Sequence, residues 1–278
     1  MYRKEILYII LSTVSLAIMY SFVKVLHRFS VYQIVFFRSA ATLLFTIPLI
    51  IKYKLSFSGN NKLMLFLRAV LGYISMFLFF MSINYLDLGI AVSIRYLSPF
   101  FALFFSFMIL KETIKVSQLF FFLLSFLGVF IIKVSSLNIS LIGLILALFS
   151  AITLGLVFVV IRKINNTENP LIIINYFMLF TFIFSIIPSH NNFISPNLYE
   201  FLLFFGLGFF SFLGLLFMTK AFQNSEVNIL VPFKYSEIVF SIFIGICFFD
   251  ESYSFTTLLG ILLILIGLFC NLFFVRKF

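Results

Sequence analysis

Residues 92–101 read VSIRYLSPFF, and they set Arg95 in the middle of a run that hydropathy alone assigns to lipid. The run extends from residue 88 to residue 110 and carries no other charge. A guanidinium at bilayer depth is expensive unless it faces the interior of a helix bundle or meets a partner. The stretch therefore raises two questions together: whether the chain spans a membrane, and what its buried charge meets there.

Composition answers the first. Hydrophobic residues make up 63% of the 278 residues, charged residues 10%, and Phe occurs 45 times. A soluble domain carries about a quarter charged residues, so too little polar surface is present here to cover a globule in water. The net charge of +10 would suggest nucleic acid on a soluble protein. On a membrane chain it reads as basic bias in the loops on one side, and no nucleic-acid partner is expected. Cys247 and Cys270 both fall in apolar runs and read as packed thiols, and His27 and His190 fall in predicted loops. No metal-ligand spacing, phosphate-binding glycine loop or nucleophile elbow occurs, so neither an enzyme nor a cofactor is expected.

A span needs about 20 mainly apolar residues. Polar and Pro/Gly breaks divide the chain into ten: 6–26, 32–51, 63–83, 88–110, 117–133, 140–161, 170–188, 199–220, 227–249 and 255–275. The first is too long for a signal-peptide core and is followed directly by further spans, so it reads as uncleaved. With the N-terminus inside, twelve basic residues fall in inner segments and three (Lys24, Arg28, Lys133) in outer ones. That asymmetry predicts both termini on the cytoplasmic side. Arg38, Arg68, Arg95 and Lys234 remain within the spans.

Sliding the chain against itself yields a consistent offset of 139 residues. Arg95-Tyr96 matches Lys234-Tyr235, Lys111-Glu112 matches Asp250-Glu251, Asp87 matches Glu226, Lys24 matches Lys163 and Gly128 matches Gly267. Two repeats of five spans follow, residues 1–139 and 140–278. Five is odd, so the second repeat enters the membrane from the opposite side. The expected fold is an all-α membrane protein with ten transmembrane helices as two inverted five-helix repeats, whose site lies near the midplane between them.

The span 4–5 segment AVSIRYLSPFFALFFSFMILKE with LLSFLGVFII resembles the drug/metabolite transporter superfamily, EamA branch, and so does its counterpart VPFKYSEIVFSIFIGICFFDE with LLGILLILIGL. FFRSAATLLFTIPLI and LRAVLGYISMFLFFMSINYL fit the same pattern, so the resemblance covers nearly the whole chain. It implies a permease with a cavity formed mainly by spans 1, 3, 4, 6, 8 and 9. Within the superfamily, VPFKYSE resembles the S-adenosylmethionine uptake permeases. Two positions depart from the family pattern: Arg95, and Ile238 where many relatives have proline.

Helical spacing defines the candidate site. From Arg95 one face runs through Ser98, Ala102 and Ser106, and from Lys234 another runs through Glu237, Ser241 and Gly245. Both faces are small or polar, which fits a water-filled cavity and equally fits tight helix packing. In the cavity reading Arg95 and Lys234 hold a carboxylate or phosphate, Tyr96 and Tyr235 line or gate the path, and Ser98, Ser241 and Ser75 contribute hydroxyls. Glu237, expected about eleven residues and roughly 16 Å into span 9, would bind a substrate ammonium or carry a coupling proton; alternatively it ion-pairs with Lys234 or Arg95. Arg38 is a second charge for coupling or structure, Pro99 a kink with a gating role, and Arg68 is expected to snorkel to lipid phosphates. The intramembrane charges sum to +3, which favours anionic or zwitterionic substrates.

The expected function is a secondary transporter of a small, amino-acid-like or carboxylate-bearing metabolite such as S-adenosylmethionine. Its expected place is a bacterial inner membrane, as a monomer or homodimer, with the bilayer, the substrate and a coupling proton as partners. An exporter of amino acids or drugs, or a scaffold or channel subunit, are the alternatives.

Overall fold

The computed structural model describes residues 3–110, 116–135, 139–164, 167–190, 193–224, 233–234 and 236–276. Among them it contains α1 (Arg3–Val25), α2 (Val31–Lys52), α3 (Lys62–Ile83), α4 (Leu88–Arg95), α5 (Ser98–Leu110), α6 (Val116–Ser135), α7 (Leu141–Ile164), α8 (Pro170–His190), α9 (Leu198–Asn224), α10 (Ser236–Phe249) and α11 (Phe255–Arg276). The predicted fourth span is two helices, α4 and α5; every other predicted span corresponds to one helix. Among the described residues six spans are long and apolar enough to cross a bilayer, counting Leu88–Ile109 as one, and four shorter apolar helices occupy the other predicted positions.

The helix starts follow local chemistry. Ser30 caps α2 by accepting from Gln33 N, and Asn61 caps α3 by accepting from Met64 N. Asn197 and Glu200 exchange backbone and side-chain hydrogen bonds of 2.8 and 2.9 Å at the start of α9, a capping box that satisfies two donors of the first turn. Span 4 breaks at Tyr96–Leu97 because Pro99, in the first turn of α5, has no N–H to offer the Arg95 carbonyl. Of the predicted ninth span, 227–249, α10 covers Ser236–Phe249; residues 225–232 and 235 lie outside the described ones.

The helix packing carries the repeat. Exchanging the two halves should swap spans 1 and 6, 2 and 7, 3 and 8, 4 and 9, and 5 and 10. The α1–α9 contact then maps onto α3–α7, α2–α9 onto α3–α8, and α1–α10 onto the packing of α7 against α4 and α5. The α2–α8, α4–α10 and α6–α11 contacts map onto themselves. All are present, as a pseudo-two-fold axis requires. Ser125 donates to the carbonyl of Ile264, its own mate at the 139-residue offset, so the axis passes through the α6–α11 seam. A Cβ on Gly128 would stand 2.5 Å from the Gly260 carbonyl oxygen. Glycine there lets the two helices touch backbone to backbone, which substitutes for the missing hydrophobic drive between helices in lipid.

The lipid-facing bulk is largely aromatic and aliphatic. On α10, Val239, Phe243 and Ile246 are exposed, whereas Glu237, Ser241 and Gly245 are buried. The stripe expected from helical spacing is therefore the inward face. Cys247 departs from its reading as a packed thiol, since it is exposed on the apolar surface.

Candidate functional site

The break between α4 and α5 and the first turn of α10 come together against α1. Tyr96, just past the end of α4, donates from its hydroxyl to Glu237 Oε2 at 2.8 Å and lies 2.9 Å from the Lys234 carbonyl oxygen. Arg95, in the last turn of α4, donates from Nη1 to the Tyr20 hydroxyl of α1 at 3.0 Å. Its guanidinium carbon stacks 4.1 Å from the centre of the Phe79 ring. The Lys234 ammonium faces the rings of Tyr96 and Phe158, 5.8 and 5.7 Å from their centroids. Thr13 of α1 and Ser236 share a hydroxyl hydrogen bond of 3.0 Å.

The electrostatics follow from where these groups sit on their helices. Glu237 is 3% exposed and belongs to the first turn of α10, where the positive end of the helix dipole favours a carboxylate. Arg95 lies at the opposite, negative end of α4 and is favoured there for the same reason. Among the described residues neither Arg95 nor Lys234 forms a direct ion pair with Glu237. The carboxylate takes its hydrogen bond from a phenol instead, and both cations are left facing aromatic rings. An exchangeable polar cluster of this kind can hold a zwitterion: two cations for an anionic group, one carboxylate for a cationic group, and aromatic faces between them.

The other candidates are placed as follows. Ser98 is buried at the start of α5, one turn past Arg95. Ser241 is fully buried on α10, and its hydroxyl has no hydrogen-bond partner. Ser75 lies apart from the cluster, exchanging hydrogen bonds with Ser150 at the α3–α7 contact (3.0 Å to the Ser150 carbonyl and 2.8 Å in return). Its hydroxyl is engaged in packing. Arg38 is buried on α2 and gives Nη1 to the sulfur of Met76. Arg68 is also buried within the bundle, 5% exposed, so the expected snorkelling to lipid phosphates does not occur. Tyr235 lies outside the described residues, as do the side chains of Pro99 and Ser106. Tyr20, Phe79 and Phe158 were not predicted: each is an aromatic in an apolar span, with no sequence signal to separate it from lipid-facing neighbours.

One end of the α4–α10 crossing is tied shut. Asp250 adopts a left-handed backbone (φ 52°), ending α10 and turning Glu251 back over Gly245, where a Cβ would fall on the Glu251 carboxylate. That carboxylate accepts from Lys24 at the end of α1, from Tyr253, and from the Leu88 N–H that opens α4 at 2.9 Å. Tyr253 in turn accepts from Gly89 N at 3.2 Å. One carboxylate of the second repeat thus binds two helices of the first. Beside it Asp87 is half-buried, and burial, followed by the charge of Glu251, raises its carboxyl above the usual range, against the pull of Lys24.

Comparison with known proteins gives this arrangement a family. The EamA-like transporter family matches the chain twice, over residues 3–134 and 141–273. The pseudopaline exporter CntI of Pseudomonas aeruginosa (strain PAO1) is 30% identical over 237 residues, covering 84% of each chain. An uncharacterized transporter of Helicobacter pylori (strain J99) is 28% identical over 272 residues, covering 92% of this chain and 90% of its own. Mouse solute carrier family 35 member G1 is 25% identical across 94% of this chain and 76% of its own. A solved crystal structure with 16% identity superposes over 98% of the chain with a TM-score of 0.68, which speaks to the fold alone. With both halves matched, this multi-pass membrane chain belongs to the EamA-like transporter family and is a transporter of the drug/metabolite superfamily.

Proposed function

We propose that the protein carries a small zwitterionic metabolite, amino-acid-like and bearing a carboxylate, by alternating access between its two inverted repeats. The observation that carries this reading is the buried Glu237 carboxylate, held by Tyr96 with Arg95 and Lys234 nearby yet unpaired to it. The substrate carboxylate engages Arg95 and Lys234, its cationic group engages Glu237, and the free Ser241 hydroxyl supplies a further contact. Substrate binding displaces the Tyr96–Glu237 bond and releases the contact between α4 and α10. The Glu251 knot then opens as the opposite end closes. Glu237 is the group that exchanges a coupling proton, since a buried carboxylate must be either paired or protonated. Both termini face the cytoplasm of a bacterial inner membrane, as the distribution of Lys and Arg supports.

S-adenosylmethionine carries the same amino-acid group with an added sulfonium, whose extra positive charge Glu237 would balance. A named exporter among the relatives makes both directions of movement part of the test. The test is counterflow in proteoliposomes, with radiolabelled amino acids and S-adenosylmethionine offered from either side. A carrier shows trans-stimulation that Glu237→Gln reduces by at least tenfold while the variant still inserts and folds. Flux without trans-stimulation assigns a channel instead, and full activity in Glu237→Gln removes the carboxylate from the reading.

A further inference from the structure

Away from the central cluster, α2, α3 and α8 bring two further cations into the bundle. Arg38 and Arg68 are 3% and 5% exposed, and both face the ring of Phe177, with guanidinium carbons 6.0 and 4.1 Å from its centroid. Gly72 makes the room for this: a Cβ there would stand 2.8 Å from Arg68 Nη1 and 3.0 Å from the Phe177 ring.

Their donors are poorly used. Arg38 spends Nη1 on the Met76 sulfur, a weak acceptor, and its Nε has no acceptor. Arg68 has none for Nε or Nη1. Asn175, fully buried on α8, accepts from Thr46 at 3.4 Å through Oδ1, and its Nδ2 also lacks a partner. Three guanidinium nitrogens thus stand unsatisfied beside a single ring, and the amide nitrogen of Asn175 stands unsatisfied elsewhere on α8. Among the described residues no carboxylate pairs with either arginine: Glu200 pairs with Arg28, Glu251 with Lys24, Glu168 accepts from the backbone of Asn60 and Asn61, and Glu237 accepts from Tyr96. Two like charges buried side by side repel, and each unpaired buried donor costs free energy. A lipid headgroup is excluded as the acceptor by the burial of both side chains.

We propose that Arg38 and Arg68 form a binding site for a small free anion, a halide or the oxyanion of a phosphate or carboxylate. Guanidinium forks match such anions in geometry and charge, and Phe177 holds the two arginines by its faces. The site uses neither Glu237 nor Lys234, so it stands whether or not the substrate reading above holds.

The test is thermal unfolding of the purified chain in a buffer whose anion is a bulky sulfonate, titrated separately with chloride, phosphate and acetate at constant ionic strength. At least one of the three should raise the melting temperature saturably, by about 4 °C at tenfold excess over the dissociation constant. The anion that does so identifies the ligand chemistry. Arg38→Gln and Arg68→Gln should each abolish the saturable rise, and Glu237→Gln should retain it. If the arginine variants fail to fold, wild-type crystals grown with whichever anion raises the melting temperature (bromide standing in for chloride, arsenate for phosphate, acetate itself) show that anion at the Arg38 or Arg68 guanidinium. No saturable rise in the wild type with any anion overturns the proposal. So does an equal rise in the arginine variants, or the active anion found only elsewhere in the crystal.

Discussion

Glu251→Gln should open the tied end of the α4–α10 crossing. The substitution keeps the shape of the side chain and removes the charge that joins Lys24, Tyr253 and the Leu88 N–H. Breaking a buried pair by neutralising one partner costs about 3–5 kcal/mol. The Glu251 side chain is 3% exposed but Lys24 retains 21%, so water recovers part of its solvation and the lower end, about 3 kcal/mol, applies. If the knot exists only in this conformation, the loss falls entirely on it. At 1.36 kcal/mol per decade, the balance moves by about 150-fold toward the state open at that end. The assay uses a chain with Cys247 and Cys270 replaced by serine and a reporter from Ser241→Cys, on the buried face of α10. A membrane-impermeant maleimide added from the Lys24 side should label this reporter on the order of 100-fold faster in Glu251→Gln. Asp250→Asn in the adjoining loop should leave the rate unchanged. An unaltered rate in a folded Glu251→Gln protein would refute the reasoning, because the knot would then persist in both conformations.

Three further outcomes follow from the geometry. The Asp87 carboxyl titrates above its ordinary value, so the folded chain binds more protons than the unfolded one in the window between the two values, and stability falls as pH rises through it. Asp87 caps α4 without a side-chain hydrogen bond, so Asp87→Asn should melt higher than wild type at neutral pH, with the curves converging as acidification approaches the ordinary carboxylate range. Ser150→Ala removes a 2.8 Å bond to the Ser75 carbonyl, should cost about 0.6–1 kcal/mol in unfolding and should leave transport intact; a transport defect would place Ser75 on the substrate path instead. Tyr96→Phe loses the 2.8 Å bond to Glu237 that the substrate must displace, so substrate should bind about tenfold or more tighter by thermal shift, the value of one hydrogen bond to a charged group; weaker binding would show that the Tyr96 hydroxyl contacts the substrate instead.

Much of this was legible from residue order. Composition demands a bilayer, because 10% charged residues cannot cover a water-soluble globule. The 139-residue offset paired Arg95 with Lys234 and so pointed to the crossing of α4 and α10, since a chemical signal repeated in two halves survives any packing. The inward stripe Glu237–Ser241–Gly245 followed from helical spacing alone. Contacts between distant helices were not legible in this way. Nothing local announces that Arg95 reaches Tyr20, that Glu237 takes its bond from Tyr96, or that Arg68 turns inward onto Phe177, because such partners lie tens to hundreds of residues apart. The sequence determined that charges enter the membrane and that two of them, Arg95 and Lys234, hold equivalent positions in the two halves. Which charge meets a partner, and which is left facing a ring, was decided only when the helices packed and fixed the few ångströms over which a hydrogen bond acts.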